Sequence, residues 1–178
     1  MVSNLEFINF VWEKDQVFIS SFEYNIVDIL MDLTIGFKER RYIEELRILT
    51  KSTAIDCIID DKFDRVIYII QKGDMGLAIG KKGENIRRLQ SFLGKRIEMV
   101  EYAPELNEFV ENIFRPAEVI GIEKETENKR INVILKSKTD LGIAIGKNGC
   151  NIEKSRLLVR KFFSEEIGDV IAGEGETA

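Results

Sequence analysis

Asp74-Met-Gly-Leu-Ala-Ile-Gly-Lys-Lys-Gly-Glu-Asn-Ile86 and Asp140-Leu-Gly-Ile-Ala-Ile-Gly-Lys-Asn-Gly-Cys-Asn-Ile152 agree at nine of 13 positions, at a constant offset of 66 residues. Chance does not produce that match. A period of this length exceeds the roughly 20–50 residues of solenoid units, so two copies read as a duplicated small domain rather than an array.

The surroundings repeat in the same order. Upstream of the first motif lie a helical pattern around Tyr42, Leu46 and Leu49 and two β-rich runs, Thr53 to Asp60 and Arg65 to Gln71. Upstream of the second, Leu106, Phe109, Val110, Ile113 and Phe114 fall on one helix face, followed by runs Glu118 to Glu123 and Arg130 to Leu135. Each motif leads into an amphipathic helix, with Ile86, Leu89, Phe92 and Leu93 in one copy and Ile152, Leu158, Val159, Phe162 and Phe163 in the other. A last strand follows, Arg96 to Tyr102 and, more weakly, Gly168 to Ala172. Each half therefore predicts α-β-β-α-α-β, an α+β domain with helices on one face of a three-stranded sheet.

The expected division is an extension over 1–30, a first domain over 31–102, a second over 103–172 and a disordered tail over 173–178. Only Ala103-Pro104-Glu105 joins the domains, a link short enough to hold them in a nearly fixed relation. Two readings stand for the aromatic-rich residues 1–30: a small hairpin or partly ordered extension ahead of a native start at Met31, or a partner-docking segment.

Histidine is absent, which removes the commonest general base and metal ligand, and neither motif carries a paired-carboxylate site. Cys57 and Cys150 stand far apart with no CxxC spacing. No apolar run approaches the ~20 residues of a membrane span. The expectation is a cytoplasmic, non-enzymatic protein with no metal and no cofactor. Net charge is −5, yet the charge is segregated. Lys72 to Arg96 holds seven bases against two acids, and Lys136 to Lys161 again seven against two. Both basic windows fall on the repeated motif, which points to a polyanion.

The centre of each motif is Gly80-Lys81-Lys82-Gly83 or Gly146-Lys147-Asn148-Gly149. Glycine at both ends permits a tight helix-to-helix turn and leaves no Cβ between backbone and ligand. The N–H groups opening the next helix then favour phosphate, and Lys81 and Lys147 add full charge. Ile79, Ile86, Ile145 and Ile152 are candidates for an apolar floor under bases, with Arg87 and Arg88 at the rim. A Walker loop is excluded, because three residues rather than four separate Gly76 from Gly80 and no Ser or Thr follows the lysine. The dinucleotide fingerprint is excluded because neither copy has its leading Gly-x-Gly.

Both repeats resemble KH domains of the type II order, whose hallmark I-G-x-x-G stands here as Ile79 to Gly83 and Ile145 to Gly149. More narrowly, Gly73 to Ile86 with Val100 to Tyr102 is similar to the short archaeal form of the NusA transcription factors. That resemblance covers about residues 31 to 172 and implies two tandem KH domains that bind single-stranded RNA in transcription elongation, termination or antitermination. The RNA-binding residues it implies are Ile79, Gly80, Lys81, Lys82, Gly83, Ile86, Arg87 and Arg88 in the first domain. In the second they are Ile145, Gly146, Lys147, Asn148, Gly149, Ile152 and Lys154. Asn148 and Cys150 depart from the first copy, which predicts a weaker second phosphate contact. RNA polymerase or the ribosome stands as the candidate larger partner. The rival class is a protein-docking or ribosome-associated module built on KH folds.

Overall fold

The computed structural model describes residues 36–125 and 129–173 in full, and the backbone of three short strands before them. Those strands, β1 (Trp12–Glu13), β2 (Gln16–Ile19) and β3 (Phe22–Tyr24), pair antiparallel in sequence order. The expectations for Met31 and for residues 174–178 lie outside the described residues.

The first repeat runs α1 (Phe37–Thr50), β4 (Ala54–Asp60), β5 (Arg65–Ile70), α2 (Met75–Ile79), α3 (Glu84–Leu93) and β6 (Arg96–Glu101). The second runs α4 (Leu106–Phe114), β7 (Val119–Glu125), β8 (Arg130–Leu135), α5 (Lys138–Ile145), α6 (Cys150–Phe163) and β9 (Glu166–Ala172). These are two tandem KH domains of the α-β-β-α-α-β order. In each sheet the first two strands form an antiparallel hairpin, while the third lies parallel to the second. Parallel pairing demands a crossover, and the two helices that flank the glycine loop are that crossover. The loop is thereby carried at one end of a rigid unit.

Composition sets the layering. β5 reads Arg-Val-Ile-Tyr-Ile-Ile and is buried at every position, the pattern of a strand covered on both faces. Val66, Tyr68 and Ile70 pack with Tyr42, Leu46, Ala78 and Leu89 of the first domain's own helices. Ile67, Ile69 and Val100 point the other way and join the core of the second domain, with Phe109, Ile113, Leu158 and Val159. The helices of the second domain thus lie between two sheets, and the molecule is a four-layer stack of helices, sheet, helices, sheet. Helices cover one face of each sheet as expected, and the first sheet has no free face.

β8, Arg-Ile-Asn-Val-Ile-Leu, alternates instead: Ile131, Val133 and Leu135 are buried, while Arg130 is exposed and Asn132 and Ile134 are half-buried. The outer face of the second sheet is polar at the end that carries Glu123, Glu125, Arg130 and Asn132, and exposes Ile120 and Ile171 at the other. Among the described residues no helix is long and apolar enough to cross a membrane.

Candidate nucleic-acid interface

The two glycine loops have the same geometry. Gly80 stands at φ 73°, ψ 172° and Gly146 at φ 69°, ψ 173°, a region that only glycine occupies without strain. Gly83 and Gly149 are left-handed at φ 74° and 75°, as are Lys82 and Asn148 between them at 51° and 55°. Each loop closes with the second glycine N–H donating to the first glycine carbonyl, at 3.1 and 3.2 Å. A Cβ on Gly80 would sit 2.7 Å from the side chain of Asn85, and one on Gly146 2.8 Å from Asn151. Those asparagines are why the turn is tight. Asn85 Nδ2 donates to the Leu77 carbonyl and Asn151 Nδ2 to the Ile143 carbonyl, both at 2.8 Å, tying each loop's following helix to the helix before it.

The aspartate that opens each repeat also has a structural task. Asp74 accepts from the Thr53 N–H at 2.8 Å and Asp140 from the Glu118 N–H at 3.2 Å, the residue just ahead of the first strand in each domain. The Asp140 carboxyl is held below the usual aspartate range, first by the Ser137 hydroxyl and then by the Glu118 amide. The identity of these aspartates and asparagines in both copies is the one signal of their tasks that the sequence carries.

Lys81, Lys82, Lys147 and Asn148 are exposed, and none of their side chains has a hydrogen-bond or ion-pair partner among the described residues. Arg87 folds back, its Nη2 donating to the Lys82 carbonyl at 2.8 Å, and Arg88 pairs with Glu84 across one turn at 3.6 Å. Ile79 and Ile145 are exposed at 38% and 42% beside their loops, whereas Ile86 and Ile152 are half-buried against the two cores. The expected apolar floor therefore divides into one accessible and one anchoring isoleucine per domain.

Lys154 is placed differently from the other cations. It is 9% exposed, and its Nζ lies 3.1 Å from Glu98 of the first domain. It belongs to a seam built around Arg65, whose fully buried guanidinium donates to Asp60 (2.8 Å), to Glu98 (3.0 Å) and to the Cys150 carbonyl (2.7 Å). Cys150 is the residue directly after the second loop. Lys62 with Glu153 and Lys161 with Asp56 extend the seam along α6. Burial would raise the Glu98 carboxyl, but the Lys154 charge and the Arg65 hydrogen bond outweigh it and hold Glu98 below the usual glutamate range.

Comparison with known proteins agrees with this architecture. Residues 39–104 match the KH domain family model, and residues 106–160 match the model of the NusA-like second KH domain. The chain is 34% identical over 140 residues to the probable transcription termination protein NusA of Halobacterium salinarum, covering 79% of this chain and 98% of that one. The protein of the same name from Methanocaldococcus jannaschii is 30% identical over 108 residues, covering 60% and 58%. The crystal structure of APE1850 superposes with a TM-score of 0.67 at 37% identity, over 78% of this chain and all of the other.

Proposed function

The chain belongs to the NusA family of tandem KH proteins, and from that premise we propose that it binds single-stranded RNA as a transcription termination or antitermination factor. The strand's phosphates lie against the loops at Gly80–Gly83 and Gly146–Gly149. The observation that carries this is the coincidence of two loops with matching dihedrals, each topped by uncommitted polar or cationic side chains and each opening a helix whose dipole favours an anion. Backbone contacts of this kind position the strand, and sequence preference comes from base contacts beside the loops. Ile79, Ile145, Lys81, Lys82, Lys147 and Asn148 are the direct contacts. Ile86, Ile152, Arg87 and Arg88 shape and support the loops, and Lys154 acts through the seam. Nothing in this mechanism uses catalysis, and RNA polymerase is the partner the role requires.

The test is titration of unstructured RNA of about ten nucleotides, at several salt concentrations, against the intact protein and the double variant Gly83→Asp, Gly149→Asp. The variant should bind at least tenfold more weakly, with a salt slope shallower by about 0.7 for each phosphate that is no longer neutralised. Equal affinity and slope, with circular dichroism showing the fold intact, would overturn the proposal.

A further inference from the structure

Because the domains repeat, every residue of the contact that joins them has a counterpart elsewhere in the chain. The second domain meets the first sheet through one face of α6: the Cys150 carbonyl accepts from Arg65 at 2.7 Å, Lys154 pairs with Glu98 at 3.1 Å, and Leu158 is fully buried in one core with Ile67 and Ile69. At the offset of 66 these positions are Glu84, Arg88 and Phe92 of α3. There the face is open. Glu84, Arg87, Arg88, Ser91 and Phe92 line a shallow depression, and Phe92 is 60% exposed where Leu158 is 0%. Arg88 has only its 3.6 Å pair with Glu84 to give up, and an exposed pair of that length is weak.

The sheet side of the contact repeats as well. Arg65 stands opposite Asp60 in the first hairpin, and Arg130 stands opposite Glu125 in the second. Ile69 and Val100 are neighbours across the parallel strands of the first sheet, as Ile134 and Ile171 are in the second. In the first sheet this set is covered, with Arg65 fully buried and Ile69 and Val100 in the core of the second domain. In the second sheet it is open: Arg130 and Glu125 are exposed, Ile171 is 49% exposed and Ile134 is half-buried. The stack thus ends in an uncovered helix face on one side and an uncovered sheet face on the other, each bearing the features of the contact at its middle. Their charges are complementary, Arg87 and Arg88 beside Phe92 against Glu123, Glu125 and Asp169 on the sheet.

We propose that these two faces bind each other between copies of this chain, reproducing head to tail the contact that joins the domains within one copy. Phe92 of one copy lies on Ile134 and Ile171 of the next, whose Arg130 reaches the Glu84 carbonyl and whose Asp169 receives Arg88. An apolar centre with a charged rim is the usual anatomy of such a contact. Asn132 stands where Ile67 does and Glu123 where Ile58 does, so this contact is less apolar than the one inside the chain and is reversible. The two faces differ and lie at opposite ends of the stack, so the contact does not close in a dimer but adds copies in a line. It needs no RNA, and its failure would leave the RNA-binding proposal untouched.

The experiment is sedimentation equilibrium of the nuclease-treated, full-length protein over about a hundredfold range of concentration. Phe92→Glu disables the helix face and Ile171→Lys the sheet face; both positions are exposed, and circular dichroism checks that each variant is folded. The weight-average mass of the wild type should rise past twice that of the monomer without a plateau, and each variant alone should stay monomeric. A mixture of the two variants keeps one intact face of each kind, and should form heterodimers and nothing larger. Arg88→Glu or Asp169→Lys should weaken association about tenfold, and the two changes combined in one chain should restore most of it. A monomeric wild type, a plateau at the dimer, association by Phe92→Glu or Ile171→Lys alone, or association lost on nuclease treatment overturns the inference. Association that begins only when residues 1–30 are removed assigns the helix face to that segment and overturns it as well.

Discussion

At the scale of single residues, the four loop glycines are not equivalent. Gly80 and Gly146 combine a glycine-only conformation with an asparagine side chain where a Cβ would go, whereas a Cβ on Gly83 or Gly149 would meet only an isoleucine methyl at 3.5 or 3.6 Å. Left-handed backbone accepts aspartate at modest cost. Gly83→Asp and Gly149→Asp therefore separate binding from folding. Gly80→Ala should destabilise the protein by about 2 kcal/mol more than Gly83→Ala, read as the difference between their urea midpoints at constant slope. Asn85→Ala, which leaves the Leu77 carbonyl without its side-chain donor, should cost about 1 kcal/mol and speed amide exchange through residues 80–84 before it changes exchange in β5. Loops and their lysines were legible in the sequence because glycine spacing and charge are local. What Asn85, Asn151, Asp74 and Asp140 do was not, since each bonds a backbone group that carries no pattern of its own.

At the scale of elements, strand positions followed from hydrophobic runs, and β9 proved longer than its weak signal, beginning at Glu166 rather than Gly168. Its first residues are held by pairing with Arg130 and Ile131 of β8 and by the Glu166 N–H on the Lys129 carbonyl at 2.8 Å, so local propensity understates it. The expectation put helices on one face of the sheet only, and the run Val66 to Ile70 in β5, buried throughout, is where the structure adds a second cover. That cover is largely α4, whose Phe109 is fully buried and meets the rings of Tyr102, Phe162 and Phe163 at 5.4 to 5.8 Å. Phe109→Ala should cost about 3–5 kcal/mol. Because the cavity would lie between the sheets, both domains should lose stability in one cooperative transition. Two separate unfolding steps, only one of them shifted, would contradict the shared core.

At the scale of the whole molecule, the seam makes the pair of domains one body. Arg65→Ala leaves Asp60, Glu98 and the Cys150 carbonyl without their common donor and should destabilise the protein by about 3 kcal/mol, while weakening binding of long RNA more than of a four-nucleotide strand. The pH dependence has a definite sign. Glu98 has its carboxyl lowered from the ordinary value of 4.5, so its contribution is complete above that value and is lost as pH falls through the lower native one. Melting temperature should therefore fall below about pH 4.5, and Glu98→Gln should flatten part of that fall; an unaltered acid profile would remove Glu98 from the seam's energetics. The place of Lys154 in the seam is not legible in the sequence, because its partner Glu98 lies 56 residues away, beyond any periodic signal.

The bond from Arg65 to the Cys150 carbonyl has a mechanical consequence. A strand held at both loops and pulled along its length loads two grips, and the load path between them runs through this bolt and the packed helices, not through Ala103–Glu105. The connector is slack in that circuit. Inserting several glycines there should leave the rupture force of a bound strand nearly unchanged in an optical trap. Removing the guanidinium should let the grips fail one after the other, at lower force.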